Sequence, residues 1–71
     1  MNNSEQRLLN RLLEKVRKVY GQTNFINAYD IATDSHSAFL NIKDMVNNKK
    51  FNDIAEKEIN KAYRYAHSLS Y

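Results

Sequence analysis

The sequence contains no cysteine and no proline, and its one glycine is at position 21. Without cysteine there is no disulfide framework, no thiolate metal site and no thiol nucleophile. Without proline, and with a single glycine, almost nothing forces a helix to stop, so an all-α fold is the expectation. No apolar run approaches the roughly 18 to 20 residues needed to span a bilayer, and no charged-then-apolar leader opens the chain. The expectation is a soluble, cytoplasmic protein with no membrane contact. A net charge of +3 permits nucleic-acid binding but does not argue for it alone.

Signs of catalysis are also missing. His36 and His67 are the only histidines, and no second ligand stands at metal-binding spacing beside either. The seven serines and threonines form neither a nucleophile elbow nor a phosphate loop. A chain of 71 residues has little volume for a substrate cavity, so no enzyme activity, cofactor or metal is expected.

What is present is helical periodicity in one small domain, residues 1 to 71. A first helix is expected from about Asn3 to Tyr20, with Leu8, Leu9, Leu12, Leu13, Val16, Val19 and Tyr20 on one stripe. Asn3 and Gln6 are its candidate capping pair, and Gly21 is placed to end it in a left-handed conformation. Arg7, Arg11, Lys15 and Lys18 line its outer flank, as a solvated face or as phosphate contacts. Phe25 and Ile26 are expected to be buried beneath it. Near the other end, Phe51 should return to the core. Asp53 and Glu56 then suggest a capping box for a last helix with Ile54, Ala55, Ile59, Ala62, Tyr63, Ala66 and Leu69 inside.

Between these helices, residues 26 to 50 read as two short helices around a turn. Asn27 caps the first with Asp30 as its reciprocal partner, and Ile26 and Ile31 have the spacing of a hydrophobic staple. Asp34, Ser35, His36 and Ser37 form a polar stretch suited to a turn. Ala38, Phe39, Ile42, Met45 and Val46 then recur at helical spacing, before the polar run Asn47 to Lys50. The expected architecture is therefore four helices, with a helix-turn-helix at about 27 to 47.

Laid out this way, the segment resembles the helix-turn-helix of the lambda repressor and Cro (XRE-like) family. Asn27 stands at the cap, Ile31 and Ala32 at the usual Leu-Ala pair, Ile42 and Met45 at the two aliphatic positions, and Asn47 to Lys50 at the closing run. The departures are His36 in place of the turn glycine, Ser37 in place of an apolar residue, and Ala38 in place of the serine cap. The resemblance implies a small homodimeric regulator that binds double-stranded DNA, its second helix in the major groove. By the same resemblance, Ala38, Phe39, Leu40, Asn41, Lys43 and Asp44 would face the bases, with Asn41 suited to adenine and Lys43 to guanine or phosphate. Asn27 and Ala28 would offer backbone N–H groups to a phosphate, and Lys49 and Lys50 would neutralise the backbone beyond the helix.

Phe39 and Leu40 are unusual on a DNA-reading face. If Ser35 or Ser37 caps the helix instead, its first turn rotates and Phe39 enters the core. If both stay outside, the patch favours a protein partner, and the chain is an inhibitor or adaptor on the same scaffold. Tyr65 and Tyr71 are further candidates for a dimer contact.

Overall fold

The first helix, α1 (Asn3–Arg17), is capped one residue earlier than expected, by Asn2 and Glu5 rather than Asn3 and Gln6. The Asn2 side chain accepts the Glu5 N–H at 2.8 Å, and the Glu5 carboxylate accepts the Asn2 N–H at 3.1 Å. This reciprocal pair satisfies two N–H groups that the helix cannot bond itself. The computed structural model describes residues 1–70, so the contact expected of Tyr71 lies outside the described residues. Leu9, Leu12, Leu13 and Val16 form the buried stripe of α1, as their spacing requires. The helix then tightens into a 3₁₀ turn, Lys18–Gly21, and Gly21 adopts no positive φ. Its expected left-handed stop is replaced by an extended Gln22, whose carbonyl accepts the Tyr65 hydroxyl at 2.8 Å.

The main departure from expectation is α2, which runs unbroken from Phe25 to Val46. Three α-helices form rather than four, and the residues expected to make the central turn lie in mid-helix. Three physical reasons account for this. Asp34 to Ser37 contain no glycine or proline, and their helix-propensity penalties are each under about 0.7 kcal/mol. The Ser35 hydroxyl donates to the Ile31 carbonyl at 2.8 Å, so its polarity is satisfied inside a helix rather than in a turn. Reading on in the same register also buries Ala28, Ala32, Ser35 and Phe39 along one line, and a turn would break that line. The cap shifts accordingly: Asn24, not Asn27, accepts the first free N–H, from Asn27 at 3.0 Å. Ile26 is 67% exposed, which corrects its expected burial.

Asn47 adopts a left-handed conformation (φ 46°, ψ 48°) that asparagine tolerates better than most residues, and it ends α2. Asn48 then caps α3 (Lys49–Ser68) by accepting the Phe51 N–H at 3.0 Å. The last helix thus begins ahead of the expected Asp53 and Glu56 box. Phe51 is buried with Ala55, Ile59, Ala62 and Ala66. Two residues join α2 to α3, so the pair lies antiparallel, and small side chains on both helices allow a close seam. Next, α1 packs across both partners and completes a three-helix bundle of 41 × 16 × 16 Å. No strand occurs among the described residues, and no helix among them is long and apolar enough to cross a membrane.

Candidate functional site

The residues expected to read DNA fall in very different places on this bundle. Ala28 and Phe39 are buried at 0% and 1% exposure, so neither reaches a base or a phosphate. The backbone N–H groups of Asn27 and Ala28 are already bonded to the Asn24 side chain and carbonyl. Lys43 is half-buried, with its ammonium 5.9 Å from the centre of the Phe39 ring. Lys49 is exposed but pairs with Asp53 at 2.8 Å, and the hydrogen bond to that carboxylate raises its pKa. Asn41, Asp44 and Lys50 are exposed, Leu40 is half-exposed at 47%, and Ala38 is half-buried. They do not share a face: Asn41 and Asp44 point outward, Leu40 lies toward α3, and Ala38 lies toward α1.

Charge is distributed unevenly over the three helices. The outer surface of α2 carries Asp30, Asp34 and Asp44, and Lys43 is its only cation. On α1, Arg7, Arg11, Lys15 and Arg17 outnumber Glu5 and Glu14. Among the described residues, Arg7, Arg11, Lys15 and Lys18 make no ion pair; the pairs present are Lys49–Asp53 and Lys61–Glu58. Any major-groove contact by α2 would therefore bring carboxylates toward phosphates.

Two grooves flank α2. The first lies between α1 and α2, where Leu8, Leu12, Ala38 and Ile42 line an open depression of about 170 Å³. Arg11 and Lys15 form its lip, and Arg7 extends that lip with Ser4 and Leu8. Met45, one turn beyond Ile42, is 81% exposed at the same edge. The second groove lies between α2 and α3 on the far side. Phe25 and Tyr29 of α2 pack on His67, Tyr29 packs on Tyr63, and Tyr63 packs on His36, with ring centres 5.5 to 5.9 Å apart. The Tyr63 hydroxyl is 3.5 Å from His36 Nδ1, at the limit of a hydrogen bond. This ladder leads to a pocket of about 210 Å³ lined by His36, Phe39, Leu40, Lys43, Glu56, Ile59 and Asn60.

Both histidines thus belong to one aromatic ladder, although they are 31 positions apart in sequence. Among the described residues no three His, Asp or Glu side chains are grouped to hold a metal ion. The sequence reading missed both grooves for one reason. Ile31, Ala38, Ile42 and Met45 mark one edge of α2, and Phe25, Tyr29, His36 and Leu40 mark the other, only when residues 25 to 46 are read as a single helix. Comparison of the chain with family models, with curated proteins and with solved structures gives no match.

Proposed function

We propose that this chain is a small cytoplasmic protein that works by binding another protein, as an inhibitor or adaptor. One observation carries this reading: α2 is the least polar of the three helices, yet it holds most of the large apolar side chains left exposed. Ile26, Tyr29, Leu40 and Met45 all lie on it. A helix with apolar residues on several sides requires cover on more than the side that packs in its own fold. Apolar surface left exposed beside polar groups is the usual mark of a protein contact.

A second reading is favoured by the unpaired cations of α1 and of the 3₁₀ turn that follows it. On that reading the chain is a homodimeric, sequence-specific DNA-binding regulator that lays Arg7, Arg11, Lys15 and Lys18 along a phosphate backbone, while Asn41 and Lys50 supply further contacts. It leaves Leu40 and Met45 without a role, which is why it ranks second.

Parallel selections decide between them. The full chain is presented both to a pool of random DNA duplexes over a salt series and to a display library of helix-forming peptides. The expected result is enrichment of peptides, with capture lost in a Leu40→Gln, Met45→Lys variant, and no preferred duplex. Recovery of a pseudo-palindromic duplex with a steep salt slope would sink the protein-binding reading and restore the regulator.

A further inference from the structure

We infer that the groove between α1 and α2 is a docking site for an acidic amphipathic helix of a partner protein, an inference that rests on the protein-binding reading. The floor is apolar, with Leu8 and Leu12 on one side and Ala38 and Ile42 on the other. Ala38 is the small residue in this floor, and the depression of about 170 Å³ includes it. That volume is close to the roughly 150 Å³ cavity that accepts a benzene-sized ring, so one large apolar side chain fits the dent. A bare phosphate backbone has nothing apolar to place there.

The chemistry of the lip identifies the partner. Arg7, Arg11 and Lys15 recur every fourth residue along α1, so they stand about 6 Å apart along the helix axis. Carboxylates four residues apart on a second helix have the same repeat, so a helix lying along the groove meets each cation in turn. None of these cations has an ion-pair partner among the described residues, so docking breaks no existing pair. The opposite edge, with exposed Met45, extends the apolar contact by a further turn.

A second copy of this chain suits the groove less well. Its α1 and α3 carry an excess of cations, which the lip would repel. Its α2 offers Asp30 and Asp34 at the required step, but Asp44 falls off that line.

The test uses the full chain and two synthetic helix-forming peptides of about four turns. Both carry the same leucine stripe; one has Glu at three positions four apart beside it, and the other has Lys there. Fluorescence anisotropy at low salt should show the Glu peptide binding at least about tenfold tighter than the Lys peptide, with the difference shrinking as salt rises. The double variant Arg11→Glu, Lys15→Glu should reverse that preference. Ile42→Glu should abolish binding of both peptides, and Lys57→Glu with Lys61→Glu on α3 should leave it unchanged. All these side chains are exposed or half-buried, and circular dichroism checks that each variant stays helical.

Equal binding of the two peptides, or a preference that survives the Arg11 and Lys15 reversal, would overturn the assignment. Peptides from the display library that lose binding on Leu40→Glu but not on Ile42→Glu would also overturn it, moving the site to the α3 flank while leaving the protein-binding reading intact. No enriched peptide at all would overturn both. A dimer in sedimentation that dissociates on the Arg11 and Lys15 reversal would overturn the foreign-helix assignment in favour of a second copy.

Discussion

Helices α2 and α3 are nearly equal in length and share one seam, but their remaining surfaces differ. Outside its buried line, α3 shows mostly Lys, Arg, Glu and Asn, and no large apolar residue among its described positions is classed as exposed. Its other apolar side chains, Ile54, Tyr63 and Tyr65, are half-buried and pack against the core. Beside its buried line, α2 carries half-buried and exposed apolar residues toward both neighbours, and three aspartates face outward. Each helix packs against two neighbours, so half-buried residues beside the buried line belong to the fold as well. The half-buried edges of α2 pack on the core, so its exposed Ile26, Leu40 and Met45 are the apolar residues that folding alone does not explain.

The sharpest way to break this contrast is to compare neighbouring residues on α2. Phe39→Ala should cost about 3–5 kcal/mol in urea unfolding, as for any large buried aromatic, while Leu40→Ala should change stability by less than about 0.5 kcal/mol. Equal small effects would mean that Phe39 is not inside and that the contrast between the two helices fails. Overfilling the seam comes next. Ala32→Leu on α2 and Ala62→Leu on α3 should each lose about 1–3 kcal/mol, because both are fully buried. A thermal midpoint unmoved by either would show that the helices lie farther apart there.

Smaller effects test the ends of the two helices. Asn48→Ala should lower stability by about 1 kcal/mol through loss of the α3 cap, while Asn47→Gly should be neutral or slightly stabilising because glycine adopts the left-handed conformation without a Cβ penalty. If the two substitutions cost the same, the division of labour between them is wrong. The smallest effect has the opposite sign. Asn52 Oδ1 is buried without a hydrogen-bond partner, so Asn52→Leu should raise the unfolding free energy by about 1 kcal/mol or less. A loss on this substitution would indicate a bond to that oxygen in solution.

Much of the bundle was legible from spacing alone. Leu9, Leu12, Leu13 and Val16, and likewise Ala55, Ile59, Ala62 and Ala66, are buried where helical periodicity puts them. Phe51 also returned to the core as expected. The helix starts were harder to read, because polar residues suited to capping are common in this chain and only burial selects among them. Asn24 prevailed over Asn27, and Asn48 over Asp53, since those choices bring Ala28 and Phe51 inside. The expected turn at Asp34 to Ser37 failed for a related reason. Polar side chains weaken a helix only slightly, while the seam with α3 rewards each buried residue on the same line. A core position for Phe39 is among the arrangements the sequence allows, but the rotation needed to reach it comes from an unbroken α2 rather than from a new cap at Ser35 or Ser37. The grooves were not legible, because each depends on pairs of helices whose contacts only folding brings together.

The short Asn47–Asn48 link also bears on the order of assembly. Closing a loop costs entropy that rises with its length, so α2 and α3, joined by two residues and sharing the most extensive contact, should condense first as one hairpin. Helix α1 docks on that hairpin with less contact to either partner, and it should be the first to leave in native-state hydrogen exchange. Equal protection of all three helices would show one cooperative unit instead. The groove between α1 and α2 needs both helices in place, so loss of α1 would remove its Arg11 and Lys15 lip together with Leu8 and Leu12.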